Sequence, residues 1–299
     1  MRMFVGGLTL LMSFAASSVP TPASALSNDF RLNQTRPDGS GILFTCASGT
    51  CAPDNRGFRS FATELAFITA PRFAAPADTL GVAGFEVGVQ WSGSFLSDDD
   101  HWGLTEEAGE SGQRTSFLQT LQLGVRKGLP FSFEVGASMS WLVDSEMFIP
   151  GVELRWAFQE GYDFLPDFAV RGAVSHLVGN RDMSLTVLST DVTLSKTAAL
   201  GGLCRLTPFV GFGALWTAAS SEIVDPTPST LVGGQPDTPN DIVFESVDLT
   251  DEVQARAAAG IRARFSLVDV QVQGELQMFR DGELVGPVGT LSANLGLNY

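Results

Sequence analysis

The chain contains two histidines, and only one of them lies among carboxylates, in the run Asp98-Asp99-Asp100-His101. Acids and a histidine in one loop could contribute to a hydrolytic site. The other histidine, His176, could activate a serine nucleophile only if a serine on the same face lay within hydrogen-bond reach. Positions 174 and 178 are both valine, which counts against that arrangement. We therefore predict no catalytic residue, and we interpret the acidic run as a solvated loop that could bind divalent cations.

A second set of charged residues occupies alternate positions in two neighbouring segments. The first segment has Gln254, Arg256, Arg262 and Arg264, and the second has Asp269, Gln271, Gln273, Glu275 and Gln277. Every second residue of a strand lies on one face. The short connection Ser266-Leu267 predicts Arg264 opposite Asp269 and Arg262 opposite Gln271, with Glu275 between Arg256 and Arg262. This polar face could be a structural interior or a charged constriction in a narrow pore.

The same alternation recurs along the chain and is clearest in residues 131–143, where odd positions are apolar and even positions from 132 to 140 are Ser, Glu or Gly. It predicts ten strands, at 82–96, 115–127, 131–143, 147–158, 167–178, 183–196, 205–218, 252–266, 268–280 and 288–299. The parity of the sixth strand is ambiguous. The predicted lumen-lining residues are Glu86, Glu134, Glu153, Arg155, Arg171, Arg256, Arg262, Arg264, Asp269 and Glu275.

Connection lengths between these strands alternate. Long connections follow odd strands, as at 97–114 and 219–251, and mostly short ones follow even strands, as at 127–130. Outer-membrane barrels have long extracellular loops, short periplasmic turns and an even strand number. A soluble β-sandwich would share the alternation of residues, but it has no reason to show this asymmetry. We expect an all-β, antiparallel transmembrane barrel of about ten strands, with twelve as the alternative.

The composition limits the class of protein. No run of about 18 apolar residues follows the N-terminal region, so no transmembrane helix is expected there. The net charge of −15 argues against a nucleic-acid partner, which requires a basic surface. Only Lys127 and Lys196 are lysines among 18 cationic residues. Arginine suits packed charge pairs better than lysine does.

The N-terminal residues divide into two parts. Residues 1–25 have the charge, apolar core and Ala-Ser-Ala ending of a cleaved signal peptide. Residues 26–80 form a polar segment that precedes the barrel at 81–299. Within it, Cys46 and Cys51 predict a small disulfide loop, as expected in an exported chain. No other Cys or His lies nearby, so we expect no metal site and no cofactor, and Cys204 remains as a buried free thiol.

Residues 58–69 could form either a strand or a helix. A strand would place Phe61, Leu65 and Phe67 on one face, whereas a helix would give an apolar stripe opposite Arg59 and Glu64. Ten strands already satisfy the even number without this segment, so we predict a helix. Residues 26–80 are then a partly helical segment and a candidate plug.

The last residues, Leu291-Ser-Ala-Asn-Leu-Gly-Leu-Asn-Tyr299, alternate and end in an aromatic residue. This segment resembles the C-terminal strand of Gram-negative outer-membrane proteins. The resemblance implies that Tyr299 is read by the barrel-assembly machinery and that the protein lies in the outer membrane. Its partners would then be membrane lipid and lipopolysaccharide; the oligomeric state is left open.

Ten strands with acids and a histidine at the outer rim also resemble the omptin proteases. Those enzymes use an aspartate pair and an aspartate–histidine pair on opposite sides of a cleft, whereas here the loop histidine belongs to the acidic run itself.

The leading expectation for the function is a narrow channel or solute passage. A wide pore is not expected, since small barrels are roughly filled by side chains. The alternative is a structural or surface-interaction barrel with acidic loops. A rim hydrolase, omptin-like or phospholipase-like, is third.

Overall fold

The computed structural model describes residues 26–36, 38–47, 50–72, 76–162, 164–201, 204–227, 231–232, 235–236, 240–280, 283–284 and 288–299. The predicted signal peptide, residues 1–25, lies outside the described residues. Ten long strands form the barrel: β1 Phe85–Phe95, β2 Phe117–Leu129, β3 Phe133–Leu142, β4 Phe148–Gln159, β5 Asp167–His176, β6 Met183–Ser195, β7 Cys204–Ser221, β8 Val253–Phe265, β9 Val268–Arg280 and β10 Gly289–Asn298.

Each of these strands pairs antiparallel with the next, and β10 also pairs with β1, so the sheet closes into a ring. The prediction of an antiparallel barrel with ten strands is confirmed. The pairing of β8 with β9 places Arg264 opposite Asp269 and Arg262 opposite Gln271. Register across this pair was predictable because the two-residue connection leaves little freedom for slippage.

Some predicted boundaries differ from the observed ones. The turn predicted at 127–130 lies at Pro130–Ser132, because β2 continues to Leu129, which pairs with Phe133. Pro130 has no N–H to donate, so the ladder ends there. Phe131 and Ser132 complete the turn with positive φ angles of 62° and 59°. The seventh strand, β7, continues past its predicted end at 218 as far as Ser221.

The two ends of the barrel carry different connections. One end, called here the long-loop end, has the described residues of 96–116, 143–147, 177–182, 222–252 and 281–288. The other end, the short-turn end, has the described residues of 130–132, 160–166, 196–203 and 266–267. The longest connection folds back on itself, because Ala219 pairs with Val247 and Val224 pairs with Ile242.

Residues before β1 form a hairpin and a helix. The hairpin pairs Phe44–Ala47 with Thr50–Pro53, and helix α1 spans Asn55–Thr69. The helix begins earlier than predicted, because the side chain of Asp54 accepts a hydrogen bond from the Gly57 N–H and caps it. A short helix, α2, spans Glu106–Ser111 in the first long loop. Further short strands are Ala198–Leu200 beside β7, Leu231–Val232 with Gln235–Pro236, and Glu283–Leu284 beside β9.

The barrel interior is apolar near the long-loop end and polar below it. Inward apolar residues in this upper part are Leu118, Leu142, Ile149, Met183, Leu185, Val187 and Leu215, and all pack in one cluster with α1. Further along β6, the same parity places Ser189, Asp191, Thr193 and Ser195 inward. This change along one face explains the ambiguous alternation of the sixth strand.

The outer face of the barrel is apolar on all sides. Large exposed apolar residues there include Val89, Trp91, Leu123, Met139, Leu154, Val170, Leu188, Phe212, Ile261, Val272 and Leu295. Aromatic pairs lie at both ends: the rings of Phe95 and Phe117 are 5.3 Å apart, and those of Phe133 and Trp156 are 5.7 Å apart. Within the described residues, neither helix is long and apolar enough to cross a membrane.

Candidate functional site

Helix α1 lies inside the long-loop end of the barrel and is buried on all sides from Phe61 to Thr69. Its apolar stripe contacts the inward apolar residues of the strands. Its opposite side meets polar groups: the Thr63 hydroxyl donates to the carboxylate of Glu252, and the Gln254 amide donates to the Thr63 carbonyl at 3.0 Å. Both faces of an amphipathic helix are therefore used within the barrel.

The C-terminus of α1 is held by hydrogen-bond donors from the residues that follow the helix and from the barrel wall. The last carbonyl groups of a helix have no intrahelical partner. Arg72 donates to the carbonyls of Phe67 at 3.2 Å and Ile68 at 2.6 Å. The Ser175 hydroxyl of β5 donates to the Thr69 carbonyl at 3.1 Å. These bonds fix the helix to the wall at the level of Ser175.

The chain then continues down the lumen to the short-turn end, in contact with the wall. Its contacts are Ala77 N to Ser195 Oγ at 2.9 Å, the Asp78 carboxylate with the Arg262 guanidinium, Thr79 N to Glu160 Oε2 at 2.8 Å, and Leu80 N to the Glu134 carboxylate. We call residues 55–80 the plug segment. The occupied lumen is the candidate functional site, because the charged residues of the barrel meet the plug segment there.

Six charged side chains form a continuous chain across the lumen, called here the central charge network. In order they are Glu153, Arg171, Asp191, Arg256, Glu275 and Arg72, with N···O distances of 3.0, 2.6, 2.8, 3.4 and 3.7 Å between successive members. Three arginines balance three acids. Arg171 also donates to the backbone carbonyls of Pro71 and Arg72. The wall and the plug are thus joined by charged groups that are largely buried.

A second set of ion pairs lies nearer the short-turn end. Arg126 contacts Glu86 at 2.6 Å and Glu134 at 3.7 Å, and Arg155 contacts Glu134 at 3.3 Å. Arg264 pairs with Asp269 at 2.9 Å, as its register allows. Arg155 also donates to the Asp78 carbonyl at 3.3 Å. These pairs extend the contact between the wall and residues 76–80.

The structure places all ten predicted lumen-lining residues on the inner face and gives each a charged partner. Burial of a charge requires such pairing. The predicted set lacks four residues that the structure adds: Arg72, Asp78, Arg126 and Asp191. Arg126 lies on the polar face of its strand, so the alternation of that strand could have predicted its inward position. Asp191 was obscured by the apolar residues that share its face, and Arg72 and Asp78 lie in a segment with no strand alternation.

Gly213 of β7 explains how Asp191 can reach the centre. A Cβ atom at this position would lie 2.0 Å from Asp191 Oδ1. The space next to β7 is therefore filled by the Asp191 carboxylate, which accepts hydrogen bonds from both Arg171 and Arg256. Glycine at position 213 thus leaves the room that the Asp191 side chain occupies.

The first long loop was predicted to be a solvated acidic loop, but only part of it is exposed to solvent. Asp98 and Asp100 are exposed, but the His101 side chain is 5% exposed. His101 Nε2 lies 2.9 Å from Glu64 Oε2 of α1, and the Ser97 hydroxyl and N–H both donate to Glu64 at 2.7 Å. The sequence gives no sign of this contact because Glu64 belongs to a distant segment.

One group of side chains has the composition of a cation site. The ligand atoms of Glu64, Asp99 and His101 lie within 4.8 Å of one another. Glu64 is already supplied with three hydrogen-bond donors, and the Ser97 hydroxyl also lies 3.0 Å from Asp99 Oδ2. The arrangement therefore serves as a hydrogen-bonded link between the plug segment and the first loop.

This link should make stability depend on pH. Burial raises the pKa of Glu64, but hydrogen bonds from His101 and Ser97 outweigh it and hold that pKa below its ordinary value. A depressed folded-state pKa stabilises the protein above the unfolded pKa of about 4.3, and this contribution is lost as the pH falls through the lower folded value. We expect Glu64→Gln to lower the melting temperature at pH 7, with the difference from wild type disappearing in acid.

The measurement is a set of thermal unfolding curves between neutral pH and pH 3 for both proteins. Glu107→Gln makes the same chemical change at an exposed position of α2 and provides the matched control. A difference between Glu64→Gln and wild type that stays constant over the whole range would contradict the assigned role.

The cysteines and the second histidine have simple surroundings. Cys46 and Cys51 form a disulfide in the N-terminal hairpin. Cys204 is a free thiol, but it is partly exposed at the start of β7 rather than buried. His176 points outward at the long-loop end of β5, and its Nδ1 lies 2.9 Å from the Thr186 hydroxyl.

The cavity that lies beside the described part of the plug segment, in the middle of the lumen, is small. A cavity of about 40 Å³ lies between Arg72, Arg126 and Glu153. This volume holds only a few water molecules, since one needs about 10–15 Å³. A larger pocket of about 580 Å³ opens at the short-turn end, and it is lined by Asp78, Glu160, Arg205, Arg262 and Arg264 among others.

Comparison with known proteins gives structural likenesses alone. No family model matches the sequence, and no curated protein matches it. Ail, the attachment invasion locus protein of Yersinia pestis, is 12% identical, with 73% of this chain and 99% of that chain covered and a TM-score of 0.28. The N-terminal β-barrel domain of Pseudomonas aeruginosa OprF is 10% identical, with 72% and 97% covered and a TM-score of 0.27. The translocator domain of autotransporter NalP from Neisseria meningitidis is 10% identical, with 82% and 95% covered and a TM-score of 0.32. The barrel assignment rests on the closed strand pairing described above.

Proposed function

We propose that this protein is an outer-membrane barrel that its own N-terminal segment closes, and that it presents a folded surface outside the cell. The apolar outer face supports the membrane location, because soluble monomers rarely expose large contiguous apolar patches. Aromatic residues at both ends fit the interfacial girdles of such barrels. The apolar outer face of the barrel would therefore contact membrane lipid.

The orientation follows from the connections. Long loops of outer-membrane barrels face outward and short turns face the periplasm. Exposed Asp98 and Asp100 would then lie at the cell surface, where divalent cations could bridge them to lipopolysaccharide phosphates. Tyr299, whose side chain is 93% exposed at the short-turn end, would be the residue that the assembly machinery reads.

The observation that carries the proposal is that residues 55–72 and 76–80 contact the wall from the long-loop end to the short-turn end. The described residues of 26–54 and of the long loops form a folded unit above them, called here the cap. Phe30 and Trp102 of the cap pack against Phe61 of α1, with ring distances between 5.4 and 6.1 Å among the three. A filled lumen beneath a folded cap favours the structural or surface-interaction role over a channel.

A gated passage is the second candidate function. The lower plug segment, residues 76–80, is held mainly by polar contacts, and water can replace polar partners more readily than it replaces apolar packing. The pocket of about 580 Å³ at the short-turn end already reaches the contact of Asp78 with Arg262. Movement of residues 76–80 would extend this pocket into the lumen.

Conductance in a planar lipid bilayer tests the two functions. We expect wild type to show no steps above background under any applied voltage. The variant Ala77→Cys/Ser195→Cys, made with Cys204→Ser, should lock the lower plug segment by a disulfide and give the same trace. A gated passage would instead show voltage-dependent steps in wild type, which the cross-link abolishes and a reductant restores.

A positive control shows that the bilayer assay can detect an open lumen. A variant that lacks residues 26–80 removes the N-terminal part of the cap together with the plug segment, and it should conduct if it folds. Its folding is checked by heat-modifiable gel mobility. Steady conductance of wild type that is unchanged by the cross-link would refute closure by the plug segment.

A further inference from the structure

Residues 26–54 contact the barrel at its long-loop end. Asn28 donates to the Val143 carbonyl at 2.7 Å, and Leu32 N donates to Asp182 at 2.9 Å. Glu146 N donates to Asp29 at 2.8 Å. The described N-terminal residues therefore lie above the same end of the barrel as the loops at 143–147 and 177–182.

From there the chain runs to the opposite end inside the ring of strands. Its successive contacts descend from Glu252, just before β8, through Ser175 of β5, to Ser195 at the lower end of β6. At the short-turn end, Gly128 N donates to the Gly84 carbonyl at 3.0 Å. Gly81, with a φ of +74°, reverses the chain into β1, which runs back up in the wall.

The two ends of the described chain consequently lie at opposite faces of the barrel. Tyr299 exchanges backbone hydrogen bonds with Phe85, at 2.9 and 2.8 Å, at the short-turn end. An even number of strands would normally leave both termini on the periplasmic side. The additional crossing through the lumen changes this and places residue 26 on the long-loop side.

We propose that the barrel conducts its own N-terminal segment through the lumen, so that residue 26 and any chain before it reach the outer surface. The closed pairing of all ten strands leaves no route through the wall. The lumen also offers partners for a passing backbone, since Arg155, Arg171 and Ser175 all donate to plug carbonyls. The proposal rests on the outward orientation of the long loops given above.

Cysteine labelling on intact Gram-negative cells tests the topology. Three single variants are made with Cys204→Ser and the native disulfide retained: Ser27→Cys, Asp98→Cys and Leu267→Cys. All three positions are exposed, and the last lies in the connection between β8 and β9. A membrane-impermeant maleimide should label the first two on intact cells and the third only after the membrane is permeabilised.

The outcomes separate the two proposals. Labelling of Asp98→Cys on intact cells, without labelling of Ser27→Cys, would overturn the inference and leave the barrel orientation standing. Labelling of Leu267→Cys without Asp98→Cys would overturn the orientation itself. If none of the three variants is labelled before permeabilisation, neither the long loops nor residue 27 lies at the cell surface, and both proposals are refuted.

A fusion placed before Leu26 tests the route. A small domain held compact by disulfides should be retained inside, whereas the same domain with its cysteines replaced by serine should pass as an extended chain and appear outside. Surface protease digestion measures both, and Asp98→Cys labelling verifies that each barrel has assembled. Equal surface display of the compact and extended fusions would overturn passage through the lumen.

Discussion

Replacement of Asp191 by asparagine is expected to lower the free energy of unfolding by about 3–5 kcal/mol, the cost of breaking a buried ion pair on one side. The Asp191 side chain is fully buried and accepts hydrogen bonds from both Arg171 and Arg256. Asparagine keeps the shape but removes the charge, so two buried guanidinium groups lose their shared acid. The central charge network would then hold three arginines and two acids.

The measurement is the urea midpoint of folding into detergent micelles, followed by heat-modifiable gel mobility. Asp98→Asn makes the same chemical change at a fully exposed carboxylate that pairs with Arg114, so its effect should stay within about 0.5 kcal/mol. If the two variants unfold at the same urea concentration, the network does not contribute to stability as the geometry indicates.

Replacement of Phe61 by alanine should loosen the cap and leave the barrel intact. Phe61 is completely buried, and its ring lies 5.4 Å from that of Phe30 and 5.6 Å from that of Trp102. Truncation of a buried phenylalanine costs about 3–5 kcal/mol. Because proteins open in local units, this loss should fall mainly on residues 26–54 and the loops that they contact.

Protease digestion of the purified protein checks this prediction. In Phe61→Ala, cleavage within residues 26–54 should become rapid, while heat-modifiable mobility of the barrel persists. Phe164→Ala, at a side chain that is 98% exposed at the other end, is the matched control and should behave like wild type. Loss of the cap and the barrel together would mean that they unfold as one cooperative unit.

The barrel itself was predictable because its signals are local. Alternating residues give the face of each strand, and short turns such as Ser266-Leu267 fix the pairing of neighbours. The cost of lipid exposure, about 2–4 kcal/mol for an arginine near the midplane, decides which side Arg256 and Arg262 occupy. The preference for arginine also has a physical reason in the structure: Lys127 and Lys196 lie outside the charge networks and bind backbone carbonyls at the short-turn end.

The filling of the barrel could not be predicted in detail, because it depends on contacts between distant segments. The alternation of β6 was ambiguous since Leu185 and Asp191 share a face, one against α1 and the other against arginines. Helix α1 was predicted from its apolar stripe, but nothing in that stripe indicates that Thr63 and Glu64 would also be enclosed. His101 was assigned to solvent for the same reason.

The linker at residues 81–84 gives the plug segment a further property. A plug joined to its barrel by so few residues rebinds as an intramolecular reaction, at an effective concentration on the order of millimolar. Closure is then first order and independent of the amount of protein in the membrane. A separate peptide with the sequence of residues 55–80 would have to exceed that concentration to compete, so dilution cannot remove this plug and a soluble mimic cannot readily displace it.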